Sequence, residues 1–215
     1  MEDIPTEERE GISLNGKKGA FIVLEGIDGT GKSTLSRELA DWMREMGREV
    51  VLTAEPTKDW LGLAVRRANE EGLDPLTESL LFTADRCEHT KQIVQWLDQG
   101  KMVICDRYFG STVAYQGAAL QESMGEEALP WLVLINSPVI RRPHITVLLT
   151  SDADLAMKRV GDRGALSKFE RSDYLKRVQE NYLMLVDRFD WRVVDSNGPL
   201  PEVFEQVKRA VQAYV

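Results

Sequence analysis

Cysteine, histidine and positive charge are all scarce in this chain, and it contains no long apolar run. Its 215 residues include two cysteines, Cys87 and Cys105, and two histidines, His89 and His144. Two thiols cannot build a disulfide framework, which suits a reducing, cytoplasmic setting. Neither histidine has a partner pattern that suggests catalysis, so both are expected to be structural or surface residues. Lysine and arginine number 27 against 35 aspartates and glutamates, a net charge of −8. That balance excludes the broadly basic surface of a nucleic-acid binder, and any phosphate site needs cations gathered locally. The longest apolar stretches, such as residues 20–24 and 145–149, are strand-sized. None approaches the roughly 18 residues of a membrane-spanning helix, so no membrane association is expected. The acidic first ten residues lack the apolar segment of a secretory signal.

What is present is an ordinary globular composition, 43% hydrophobic and 29% charged. Residues 1–18 are polar and read as a loose N-terminal tail; residues 19–215 read as one domain. Short apolar runs alternate with amphipathic segments. Strands are expected at residues 20–24, 50–53, 102–105, 145–150 and 191–194. Helices are expected at 32–47, at 74–100 with Asp74 as cap and Pro75 in the first turn, at 152–163, at 172–188 and at 200–214. Continuous apolar strands alternating with helices imply an α/β fold: a five-stranded parallel sheet with helices on both faces, three layers in all. Ligands in such folds gather at the carboxyl ends of the strands. The residues following Leu24, Thr53, Cys105 and Thr150 should therefore surround one crevice.

The first of those positions carries Gly26-Ile27-Asp28-Gly29-Thr30-Gly31-Lys32-Ser33, the G-x-x-x-x-G-K-[ST] phosphate loop, set between a strand and a helix as it must be. Glycines allow backbone N–H groups to curl around a phosphate, and the helix N-terminus adds a favourable dipole. Lys32 is placed to reach the β- and γ-oxygens of a nucleoside triphosphate, and the Ser33 hydroxyl to ligate Mg²⁺. After the third strand, Asp106 stands where a second Mg²⁺-holding carboxylate is expected. Arg107 offers the planar fork that suits a phosphate dianion. Phe82 and Arg86 lie four apart on one helix face, able to stack and hydrogen-bond a base, although such a spacing taken alone is more often core packing with a snorkelling arginine. The loop alone leaves GTPase, ATPase, nucleoside kinase and nucleotide kinase open. The guanine-reading N-K-x-D is missing, because Thr150-Ser151-Asp152-Ala153-Asp154 occupies its place.

Taken together, the loop with Asp28, Thr53-Ala54-Glu55-Pro56, the segment from Leu81 to Arg86, and Asp106-Arg107-Tyr108 running on to Tyr115-Gln116-Gly117 resemble the thymidylate kinase family. The resemblance implies a P-loop fold with a mobile lid at about residues 159–171. It implies transfer of a phosphoryl group from ATP, with Mg²⁺, to dTMP. It assigns an acceptor site to Asp28, Glu55, Phe82, Arg86, Arg107, Thr112, Tyr115 and Gln116. In that site Phe82 stacks on the base, Arg86 hydrogen-bonds it, Arg107 holds the phosphate and Tyr115 closes the 2′ side of the sugar. The usual arginine of the second strand end is here Ala54, so that cation is missing or supplied by Arg66, Arg67 or Lys58. Homodimerisation is also implied.

Residues 158–177 hold seven cations against three acids. The segment resembles the lid of nucleoside monophosphate kinases. In the family it resembles, the arginine that meets the transferring phosphoryl group comes from the phosphate loop or from the lid; the loop here carries none, so the resemblance implies a lid cation: Arg163 first, then Arg159 and Lys168. Two rival readings stand beside this one. A deoxynucleoside kinase would act on thymidine with Glu55 as base, and a non-catalytic protein would bind nucleotide without transfer.

Overall fold

The computed structural model describes residues 18–160 and 168–215; for residues 160 and 168–171 it describes the backbone alone. The N-terminal tail and the centre of the expected lid, Arg163 included, thus lie outside the described residues. The chain runs β1 (Phe21–Gly26), α1 (Lys32–Glu45), β2 (Val50–Ala54), α2 (Trp60–Glu71), α3 (Pro75–Asp98), β3 (Met102–Asp106), α4 (Phe109–Met124) and α5 (Ala128–Asn136). It continues through β4 (Ile145–Thr150), α6 (Ala153–Val160), α7 (Lys168–Phe189), β5 (Arg192–Asp195) and α8 (Leu200–Val211). The five strands form one sheet in the order β2-β3-β1-β4-β5, and every pairing is parallel.

Side chains alternate across the strands, and each face of the sheet builds its own core. Phe21 and Val23 of β1, Val103 and Cys105 of β3 and Leu148 of β4 face a cluster completed by residues of α3, α4, α5 and α7. Ile22 and Leu24, Met102 and Ile104, and Val147 and Leu149 face the opposite cluster, completed by α1 and α8. This is the three-layer α/β arrangement expected from the pattern of runs. Cys105 is wholly buried in it, as a small core residue.

The expected strands and helices are present, with boundaries moved by up to four residues; the expected end of the 152–163 helix lies outside the described residues. Asp74 caps α3 by accepting Leu76 N–H at 2.7 Å, with Pro75 in the first turn. The last helix stops at Val211 and closes in a 3-10 turn over Gln212–Tyr214. Three helices have no counterpart in the periodicity: α2, α4 and α5. Their physical reasons differ. In α2 the first turn carries Gly62, where a Cβ would lie 2.0 Å from Thr57 O, so close packing excludes a helix-favouring residue. The α4 sequence is rich in Ala, Gly and Ser and is buried around much of its circumference, so no apolar stripe stands out. In α5 a proline, Pro130, interrupts a short apolar segment.

Candidate active site

The phosphate loop joins β1 to α1, and its shape follows from its glycines. Gly26, Gly29 and Gly31 all have positive φ. At Gly29 (φ +88°) a Cβ would sit 2.2 Å from the Ala156 carbonyl oxygen of α6, so no side chain fits there. Lys32 folds back over the loop, with Nζ donating to Ile27 O at 2.7 Å and to Thr30 Oγ1 at 3.3 Å. Burial, together with the neighbouring Arg107 guanidinium, lowers the Lys32 ammonium to about 7, against the pull of Asp106, Asp28 and Glu25. The loop therefore presents a lysine whose charge a phosphate would restore.

Ser33 Oγ donates to Asp106 Oδ2 at 2.5 Å. The other carboxylate oxygen, Asp106 Oδ1, is buried and has no hydrogen-bond partner. An orphaned carboxylate oxygen beside a hydroxyl, both lining the cavity that contains Lys32, is a donor set suited to a hard divalent cation such as Mg²⁺.

Past the end of β3, Arg107 takes a left-handed backbone (φ +70°), unusual for a side-chain-bearing residue and a marker of a functional turn. The turn brings the guanidinium back across the strand ends. Nη1 donates to Gly26 O at 3.1 Å and Ser111 Oγ at 3.0 Å, and Nη2 to Asp28 Oδ1 at 2.6 Å. The guanidinium carbon lies 5.1 Å from the centre of the Tyr115 ring. Tyr115 OH accepts Asp28 N–H at 3.0 Å, tying α4 to the phosphate loop. Partial burial works against ionisation of Asp28, but Arg107 and Lys32 outweigh it and hold the carboxyl below its usual value.

All eight residues expected at the acceptor site line a single cavity of about 300 Å³: Asp28, Glu55, Phe82, Arg86, Arg107, Thr112, Tyr115 and Gln116. A second cavity, of about 470 Å³, is lined by Gly29, Gly31, Lys32, Ser33, Asp106 and Arg159. Asp28, Glu55 and Arg107 belong to both linings. A phosphate held at Arg107 from the first cavity therefore meets the phosphate loop in the second.

Of the lid cations, Arg159 is described. Its Nη1 donates to Ser196 O at 2.9 Å and Gly29 O at 3.4 Å, and its Nη2 to Asn197 O at 3.2 Å, tying α6 to the loop. The Lys168 side chain lies outside the described residues. The cation absent at Ala54 has three stand-ins to weigh. Arg66 is committed to carbonyls, donating to Thr57 O, to Pro56 O at 2.6 Å and to Gly62 O at 3.0 Å. Arg67 is exposed and paired with Glu71 at 2.7 Å. Lys58 lines a recess together with Ala54, Ser33 and Asp106.

Several functional neighbours have no local sequence signal. Glu25 is fully buried and accepts Tyr108 N–H at 2.9 Å, Ser111 N–H at 3.1 Å and Ser111 Oγ–H at 2.6 Å, so it holds the turn that aims Arg107. Burial raises its carboxyl pKa despite those donors and Arg107. Tyr182 of α7 bonds Ser111 Oγ at 2.8 Å and reaches Glu25 Oε2 at 3.2 Å. Asn136, at the end of α5, accepts from Arg86 Nη1 at 2.5 Å. His89 is buried, not at the surface, with Nδ1 2.9 Å from Glu55 Oε1. His144 accepts Phe21 N–H on its Nδ1 at 2.9 Å, at the amino ends of the strands, away from the crevice at their carboxyl ends.

Comparison with known proteins gives a consistent result. The thymidylate kinase family profile matches residues 24–207. A protein of Methanococcoides burtonii named probable thymidylate kinase is 40% identical over 201 residues, 92% of this chain and 98% of that protein. One of the same name from Pyrococcus horikoshii is 40% identical over 205 residues, 91% of this chain and 97% of that protein. One from Methanosarcina mazei is 38% identical over 202 residues, 92% and 98% of the two chains.

Proposed function

The chain belongs to the thymidylate kinase family, and from that premise we propose that it catalyses ATP + dTMP → ADP + dTDP with Mg²⁺. The observation that carries this reading is the pair of cavities joined at Asp28, Glu55 and Arg107. One has the phosphate loop for a donor, and the other has a ring, a buried guanidinium and a phosphate-binding arginine for an acceptor.

The chemistry follows from charge. A nucleoside monophosphate has its second pKa near 6, so its attacking oxygen is already anionic at neutral pH and no general base is needed. The protein's task is to align two polyanions and neutralise their repulsion. Arg107 holds the acceptor phosphate, and Lys32 the donor. By the resemblance, Arg163 and Lys168 close from the lid, over about residues 159–171 of one P-loop kinase domain, while Arg159 ties α6 to the phosphate loop. Ser33 and Asp106 would hold Mg²⁺, which would supply positive charge to the donor phosphates. Lys58 is the cation best placed to cover for Ala54, because Arg66 and Arg67 are committed elsewhere.

Within the acceptor cavity Phe82 stacks on the base while Arg86, Thr112 and Gln116 surround its edge, and Tyr115 packs against the sugar. Glu55 argues against the deoxynucleoside-kinase reading. Its side chain is 2% exposed, and its oxygens are taken by Arg86 and His89, so it is not free to deprotonate a 5′-hydroxyl. The same family reading carries a cytoplasmic homodimer, for which exposed Trp60 and Leu63 on α2 offer an apolar face. A panel of dTMP, dUMP, dCMP, dGMP and thymidine with ATP and Mg²⁺ tests the assignment. Phosphorylation of dTMP is expected, and turnover of thymidine alone would overturn it.

A further inference from the structure

Arg86 offers five N–H donors. Nε donates to Glu55 Oε2 at 2.8 Å, and Nη2 lies 2.6 Å from that same oxygen while donating to Thr112 Oγ1 at 2.9 Å. Nη1 donates once, to Asn136, which leaves it one N–H, in a residue that is 1% exposed yet lines the acceptor cavity. Two guanidinium nitrogens thus share one carboxylate oxygen. The ordinary arginine–carboxylate pair is two nitrogens on two oxygens, which would turn the guanidinium relative to the carboxylate. One lone pair of the second oxygen, Oε1, is taken by His89, whose Nδ1 sits 2.9 Å from it and holds that side of the carboxylate. Since that carboxylate is paired with Arg86, Oε1 accepts and Nδ1–H donates. Nε2 then accepts from Thr53 Oγ1–H at 2.8 Å, which fixes the ring from its far side.

From this we infer that His89 is a positioning residue for acceptor-base selection: by claiming Glu55 Oε1, it sets the angle at which Arg86 presents its one spare N–H. A single N–H facing the base edge favours a carbonyl there and rejects an exocyclic amino group, so thymine is accepted and cytosine refused. His89 does this without touching the base, through Glu55. The inference rests on the acceptor reading above.

Two amides separate the ring's two ends. In His89→Asn the amide nitrogen takes the place of Nδ1 and still donates to Oε1; in His89→Gln it extends toward the position of Nε2 and leaves Oε1 open. Steady-state kinetics with dTMP and dCMP are compared for wild type and both variants. H89Q is expected to raise the dTMP KM about tenfold, the equivalent of one lost charge-assisted hydrogen bond. It should also lower the dTMP-over-dCMP ratio of kcat/KM by a similar factor while the ATP KM stays within about twofold. H89N should restore both to within about threefold of wild type. Thr53→Val, which removes only the far-side partner, should shift them in the same direction by about threefold, and it carries the test if H89Q does not fold. A wild-type preference for dTMP that H89Q, or T53V in its place, retains in full overturns the inference alone, as do H89N and H89Q acting alike. A wild-type enzyme without that preference overturns the acceptor reading and the inference with it.

Discussion

Arg107 Nη2 donates to Asp28 Oδ1 at 2.6 Å, joining the turn after β3 to the phosphate loop after β1. Parallel pairing of β1 with β3, Leu24 opposite Asp106, brings these two loop starts side by side. The pair stands at the junction of the acceptor and donor cavities, with Asp28 still 58% exposed at its side chain. If Arg107 takes the acceptor phosphate, as proposed above, the dianion would meet a guanidinium already oriented but only partly neutralised.

Arg107→Ala should raise the dTMP KM and cut kcat/KM by about 100-fold, the equivalent of about 3 kcal/mol, because a desolvated phosphate loses its counter-charge. The ATP KM should change little. Folding stability should fall by no more than about 1 kcal/mol through the loss of the half-exposed Asp28 pair. Initial-rate measurements with each substrate varied in turn check this, and an unchanged dTMP profile would remove Arg107 from the site.

Arg163→Ala should lower kcat by about 10³-fold with the ATP KM nearly intact, as expected of a cation that meets charge developing on the transferring phosphoryl group. Arg159→Ala should behave differently. Its guanidinium binds the carbonyls of Gly29, Ser196 and Asn197, so its loss should loosen the donor side and raise the ATP KM as well. Single-turnover rates at saturating ATP separate the two effects. Variants that changed only the melting temperature would show that the lid cations are structural.

The contrast between these arginines and Glu25 shows what the sequence made legible. The phosphate loop and Asp106-Arg107 could be read because each is a short-range pattern with a mechanism attached, whereas the Phe82/Arg86 spacing fits core packing as well and gained its role only from the resemblance. The strands could be read because their apolar runs are uninterrupted. Glu25 and His89 carry no such mark. Glu25 meets Tyr108 and Tyr182, 83 and 157 positions away, and His89 meets Glu55 34 positions away, contacts made only once the sheet has formed. The α4 helix escaped periodicity for a related reason. Its Thr112, Tyr115 and Gln116 face the site while Phe109, Val113 and Leu120 face the core, so apolar and polar requirements meet on neighbouring faces.

Glu25→Gln tests how far Arg107 depends on its support. The substitution removes the charge beside Arg107 and puts an NH₂ either against Tyr108 and Ser111 N–H or against the Ser111 and Tyr182 hydroxyls, which must then turn to accept. Losing the charge-assisted bonds should cost about 1.5–3 kcal/mol of stability. The turn holding Arg107 would relax with it, and the dTMP KM should rise while the ATP KM stays near wild type. Urea denaturation gives the first quantity and substrate kinetics the second. Loss of stability with both KM values unchanged would confine Glu25 to the core.

Lys32 predicts a proton taken up on ATP binding. In the free protein its ammonium titrates at about 7, because burial and Arg107 disfavour the charge. A triphosphate beside Nζ favours the charge and raises the pKa again. Between about pH 7.5 and 9 ATP binding should thus draw a proton from solvent and weaken as pH rises; below about pH 6, where Lys32 is already charged, the uptake should vanish. The same depressed value fixes the sign for folding. The unfolded chain, near 10.5, binds more protons than the native state above pH 7, so this lysine's cost to the nucleotide-free protein is full below pH 7 and declines as pH rises toward 10.5. Titration calorimetry in two buffers of different ionisation enthalpy reads the uptake directly at pH 8. A binding heat that does not depend on the buffer would show that Lys32 keeps its proton in the free enzyme and that the loop is fully charged before ATP arrives.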